Sequence, residues 1–108
     1  RSMERGKASA FEEWQPSFVD GAGGKSVFPR MWERMRGLVD GSIVVTLDET
    51  RHAMRVLAER SRVIAEGAGA LAVAAALSGK AGDGPIVAVV SGGNIDLATF
   101  FDAIGSSP

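Results

Sequence analysis

The chain has no cysteine and only one histidine, so disulfides and thiolate metal sites are excluded. His52 alone leaves little material for a metal centre, and no bound metal is expected. The lack of cysteine fits a reducing compartment, and a cytoplasmic location is expected. Charge of one sign is also missing: 12 basic side chains face 13 acidic ones, which argues against a nucleic-acid partner. The longest apolar run, residues 68–77, falls short of the roughly 20 residues needed to span a bilayer, so no membrane association is expected. Residues 1–7 carry charge with no apolar stretch behind them, which is not the pattern of a secretory leader.

What is present fits an ordered domain: 108 residues, 45% of them hydrophobic. Glycine is abundant, and the stretch Asp20-Gly-Ala-Gly-Gly-Lys-Ser26 looks at first like a phosphate cradle. The P-loop spacing requires a glycine where Val19 stands, and Pro29 interrupts the helix that should follow the lysine. A nucleotide site through Gly24-Lys25-Ser26 is therefore the least favoured reading.

Hydrophobic periodicity divides the chain into alternating elements. Residues 1–16 form a polar segment, with Phe11 and Trp14 spaced to anchor a short turn and Pro16 ending it. Residues 17–19 read as a strand end. A helix follows from Phe28, with Pro29 in its first turn and Met31, Trp32, Met35 and Leu38 on neighbouring turns. Residues 43–47 read as a strand, and Thr46-Leu-Asp-Glu49 matches a capping box that opens a helix with Ala53, Met54, Leu57 and Ala58 inward. Residues 63–65 make another strand, then Glu66 precedes an all-apolar helix that Gly79 terminates. After a turn at 80–84, residues 86–90 read as a strand buried on both faces, followed by Ser91-Gly-Gly-Asn94 and a last helix over 96–104. The alternation predicts an α/β fold, a parallel sheet with helices on both faces. An all-apolar helix and a doubly buried strand need more cover than this chain supplies, and Arg1 is not an initiator methionine. A piece of a larger protein, or a chain completed by partners, is expected.

Three of the expected strands run into a polar residue followed by glycine: Asp20-Gly21, Glu66-Gly67 and Ser91-Gly92-Gly93. Ligands in open parallel sheets bind beyond the carboxyl ends of strands, where glycine permits close backbone approach, so these three ends are candidates to line one pocket. Plainer readings stand beside this one. Gly92-Gly93 and Asp20-Gly21 also suit ordinary turns, and Glu66 suits the positive end of a helix dipole. His52, among Arg51, Arg55 and Glu59, reads as a solvated surface residue, as do Arg30, Arg34 and Arg36.

The ordered series Val19-Asp20-Gly21, residues 38–49, Glu66-Gly-Ala-Gly-Ala70 and Ser91-Gly-Gly-Asn-Ile-Asp96 resembles the carboxyl-terminal third of the serine/threonine dehydratases. These are pyridoxal-phosphate enzymes of the tryptophan-synthase-β fold, with serine racemase among them, and the resemblance spans residues 16–105. It implies a cofactor-binding set of Ser91, Glu66, Gly21 and Gly92. Ser91 would face the pyridine nitrogen of pyridoxal phosphate, Glu66 would lie near the ring, and Gly21 would bring backbone against it. Residues 17–108 would be the carboxyl-terminal portion of a large pyridoxal-phosphate-binding domain, preceded by the polar segment 1–16.

The resemblance also implies what is missing. Lys7, Lys25 and Lys80 are the only lysines, and none has the family's Schiff-base setting. Val19 stands where many relatives carry a smaller residue. No catalytic residue is expected in this segment, which alone would be inactive; the lysine and the phosphate grip would come from a missing amino-terminal portion. The intact enzyme would be a lyase that eliminates the hydroxyl of a small hydroxy amino acid, giving a 2-oxo acid and ammonia, and a homo-oligomer is expected. A racemase of the same fold, or a non-catalytic interaction module, remains open as an alternative.

Overall fold

The computed structural model describes residues 2–22 and 24–105; Gly23 of the glycine-rich stretch, and Arg1 and residues 106–108 at the outer ends of the two expected segments, lie outside the described residues. Five helices follow in order: α1 (Ser2–Arg5), α2 (Pro29–Met35), α3 (Leu47–Ser61), α4 (Gly67–Leu77) and α5 (Leu97–Gly105).

Helix α3 is the organising element, and its start is the capping box expected from Thr46 and Glu49. Thr46 Oγ1 accepts from the Glu49 N–H at 3.0 Å, and Glu49 Oε1 accepts from the Thr46 N–H at 2.8 Å. Such caps contribute about 1 kcal/mol. Thr50, Ala53, Met54 and Leu57 recur at helical spacing and are buried. The helix ends where Arg62 turns left-handed at φ 55°, and the Val63 N–H reaches the Leu57 carbonyl at 3.1 Å.

Helix α4 packs against α3 with Gly69, Ala70, Ala74 and Ala75 buried. Gly79, at φ 80°, follows its end as expected. Helix α5 starts from an Asp96 cap, whose Oδ1 accepts from the Thr99 N–H at 2.8 Å. Its far end is tied to α3 by Arg55, whose Nε donates to the Ile104 carbonyl at 3.0 Å. Phe100 and Ala103 enter the shared core with Ala53, Met54, Leu57, Ala65, Ala70 and Ala74.

The expected sheet is not seen among the described residues. Among the described residues there is no strand, only an isolated antiparallel bridge between Ala10 and Ser26. Residues 17–19, 43–46, 63–65 and 86–90 lie outside the helices without ladder partners, and Leu47 begins α3 instead of ending a strand. A strand exists through hydrogen bonds to neighbours, and among the described residues these segments share no ladder. Val44 is 81% exposed and Val87 94%, so 86–90 is not the doubly buried strand its composition predicts. Helix α4, expected to be covered all round, is buried on the α3 side while Leu77 stays exposed. Helix α2 buries Trp32 but leaves Met31 exposed, and Leu38 lies beyond its end.

The glycine-rich stretch is zipped to the polar segment. The Phe11 N–H donates to the Lys25 carbonyl at 2.7 Å, and the Trp14 N–H to that of Phe11 at 3.2 Å, closing the expected turn. Among the described residues of that stretch none opens a helix, and α2 begins only at Pro29.

Lys80 joins the loop after α4 to the start of α3. Its Nζ donates to Glu49 Oε1 at 2.7 Å and to the Val44 carbonyl at 3.0 Å. That ammonium, and next the Thr46 N–H, holds the Glu49 carboxyl below its ordinary value. A depressed carboxyl adds stability that is present above its unfolded-state pKa and is lost as pH falls through the folded one. Glu49→Gln should therefore flatten the acid limb of the stability profile below about pH 4.5, read as urea midpoints across pH.

Candidate functional site

Helix α4 needs a residue in extended conformation before it, and Glu66 fills that place without capping the helix through its side chain. Its backbone N–H donates to the Gly92 carbonyl at 3.2 Å, which draws the start of α4 to the Ser91-Gly-Gly-Asn94 turn. The carboxylate is thereby free to point into the space between two loops. A methyl on Gly21 would lie 3.4 Å from Glu66 Oε2 and 3.1 Å from Ala68 Cβ. A methyl on Gly92 would run into Glu66 Oε1. Glu66 thus sits between two glycine backbones, and the absence of Cβ atoms is what admits it.

Close backbone approach is required once more beneath the site. A methyl on Gly69 would overlap the Gly92 carbonyl oxygen and lie 3.0 Å from its nitrogen. Gly93 in turn lies against the carbonyl of Ile64.

Of the three polar-glycine ends, Asp20 and Glu66 line one cleft together with Asn94, while Ser91, Gly21 and Gly92 are not among its lining residues. A cleft of about 160 Å³ is lined by Phe18, Asp20, Glu66, Asn94, Ile95, Asp96 and Thr99. Ser91 is exposed and immediately precedes Gly92. Phe18, Asp96 and Thr99 were not singled out as site residues; the Asp96-x-x-Thr99 spacing, a capping pattern, is the signal that places two of them. The Asp96 carboxyl is held below its ordinary value, chiefly by the Thr99 backbone N–H.

Other residues are not brought in. Lys80 is engaged at the start of α3 and His52 is exposed on that helix. Lys25 lies beside Ser2, Ser9 and Phe11. No group of three metal-ligating side chains occurs among the described residues. No helix among them is long and apolar enough to cross a membrane.

With this geometry in view, the profile of the family described as "Pyridoxal-phosphate dependent enzyme" matches residues 1–92. The chain belongs to that family. It is 45% identical over 86 residues to the L-threonine dehydratase catabolic TdcB of Staphylococcus aureus (strain USA300), covering 75% of this chain and 25% of that protein. The protein of the same name from strain N315 is 44% identical over 86 residues. Among solved structures, the T.th. threonine deaminase superposes with a TM-score of 0.77 at 31% identity, covering 90% of this chain and 33% of that one. The chain therefore spans about a quarter of the length of the curated relatives it matches. The family is pyridoxal-phosphate dependent, and the helices and loops of this chain follow the fold of the threonine deaminase.

The Gly69 contact predicts a specific asymmetry. Gly69→Ala should destabilise the folded chain by about 1–3 kcal/mol, because backbone cannot yield as a side-chain tip can. Gly84→Ala, where a methyl meets nothing, should stay within about 0.5 kcal/mol of wild type in the same urea titration.

Proposed function

We propose that this chain forms one wall of the pyridoxal-phosphate pocket of a threonine/serine dehydratase-like lyase. The observation that carries the reading is the Glu66 carboxylate set between the Gly21 and Gly92 backbones, at a cleft that Asp20, Glu66 and Asn94 line. Those residues suit a flat heteroaromatic ligand: the glycines leave main chain bare, and Glu66, Asn94 and Ser91 offer polar atoms at the edge. When bound, pyridoxal phosphate supplies the electron withdrawal that loosens an amino acid's α-proton and lets its β-hydroxyl leave. Ser91 would meet the ring nitrogen with a neutral hydroxyl and so leave its protonation unforced. Glu66 would hold the ring's orientation from the side.

Residues 17–108 are read as the carboxyl-terminal portion of the large cofactor domain, with 1–16 a polar segment leading into it. The amino-terminal portion of the enzyme would supply the Schiff-base lysine and the phosphate grip, and the substrate would be a small hydroxy amino acid. The relatives' names, dehydratase and deaminase, favour elimination over racemisation. A homo-oligomer in the cytoplasm completes the reading.

Two measurements test it. Borohydride reduction of the intact protein in the presence of pyridoxal phosphate should attach the cofactor to one lysine and to none of Lys7, Lys25 or Lys80; a label on Lys25 sinks the reading. Ser91→Asp should protonate the ring nitrogen and move product from 2-oxo acid toward racemised amino acid. Unchanged absorption bands and product ratios would remove Ser91 from the site.

A further inference from the structure

Phe18 occupies a position that neither the capping patterns nor the polar-glycine ends explain. Its ring is half-buried and packs against the core shared by α3, α4 and α5. One edge lies against the start of α4: a methyl on Gly67 would sit 3.0 Å from Phe18 Cδ2 and 3.1 Å from Cε2. Over the ring lies the Arg51 guanidinium, its Cζ 4.9 Å from the ring centroid. Arg51 Nη1 is held by Asp48 Oδ1 at 2.9 Å, one turn earlier on α3. Arg51 Nε is buried and makes no hydrogen bond among the described residues. The guanidinium is thus held both by the Asp48 carboxylate and by the face of the ring.

The same ring separates two clefts. On one side is the cleft with Glu66 and Asn94; on the other, a space of about 220 Å³ is lined by Phe18, Arg51, Thr99, Asp102 and Ala103. Phe18 is two residues before Asp20 and touches the residue after Glu66. With Val19, whose Cγ2 would lie 2.9 Å from the same methyl on Gly67, the ring spaces the 18–21 segment from the start of α4, next to the Glu66 carboxylate.

Building on the pocket reading above, we propose that Phe18, clamped by Arg51, is a positioning residue that sets where Glu66 and Gly21 stand in the cofactor pocket wall. Neither residue needs to touch the cofactor. A smaller side chain at 18 leaves Val19 alone to space the segment from Gly67, so the segment tilts about that contact and Gly21 shifts against the carboxylate. Loss of the guanidinium frees the ring to rock between the two clefts.

The test uses the intact protein that contains this chain, with Phe18→Leu, Arg51→Met and Arg51→Lys. Three readouts are taken: the Gly67 proton shifts without cofactor, the Kd for pyridoxal phosphate by fluorescence titration, and the thermal midpoint without cofactor. Phe18→Leu should abolish the ring-current shift at Gly67 and change the ratio of the bound cofactor's absorption bands. Arg51→Met should raise the Kd roughly two- to fivefold, the loss of one exposed cation–π contact, while Arg51→Lys stays within about twofold of wild type. Variants that bind pyridoxal phosphate as wild type does, with unchanged bands, overturn the positioning role alone. So does a Kd that follows the thermal midpoint, with lysine at 51 no better than methionine. A wild-type protein with no affinity for pyridoxal phosphate overturns the pocket reading and this proposal together.

Discussion

The contact on which the rest depends is between two backbones. Gly69 lies so close to the Gly92 backbone that a side chain at 69 would not fit, and that closeness is possible only because residue 69 is glycine. It docks the first turn of α4 onto the loop that follows residues 86–90. The hydrogen bond from the Glu66 N–H to the Gly92 carbonyl extends the same contact by one step. With α4 docked there, the Glu66 carboxylate lies between Gly21 and Gly92. The chemistry of the site thus follows from a steric condition at a residue that is not itself in the site.

The small residues that allow this contact also limit how much apolar surface the fold hides. Ala53, Ala65, Ala70, Ala74 and Ala103 make up most of the core, with Met54, Leu57 and Phe100 as its large members. Several larger aliphatic residues of the extended segments remain outside, with Val44 81% and Val87 94% exposed, although Val19 is buried and Val45 packs against the core. Burying one such side chain is worth about 1.5–3 kcal/mol, and none of that is realised where the segments stand unpaired. A chain covering a third of the threonine deaminase, with the same arrangement of helices, has the elements that close a core but not all the neighbours that would line it.

Polar interactions compensate at the seams between helices. Lys80 bridges Glu49 and the Val44 carbonyl, so the extended segment before α3 is held although no strand flanks it. Arg55 closes the end of α5 onto α3, and Arg51 covers the ring of Phe18. All three act from or onto α3, which explains why the helix with the clearest start signal is also the one around which the others are placed.

Local signals were legible in the sequence because their physics is local. Thr46 and Glu49 satisfy each other across one turn, Gly79 takes the left-handed backbone that follows a helix, and Asp96 accepts from the first turn of α5. The polar-glycine ends at residues 20–21, 66–67 and 91–93 were legible for the same reason, as was the mismatch of Gly24-Lys25-Ser26 with a phosphate loop. Strand pairing was not, because β-branched composition in 43–47 and 86–90 describes a readiness to pair and says nothing of whether a neighbour is present. Nor did spacing single out Phe18 or Arg51, which are far apart in the chain and meet only when α3 and the start of α4 pack. The sequence by itself determined where helices begin and which ends carry glycine; the tertiary structure alone decided that Asp20, Glu66 and Asn94 line one cleft, since that depends on backbone approach between distant residues.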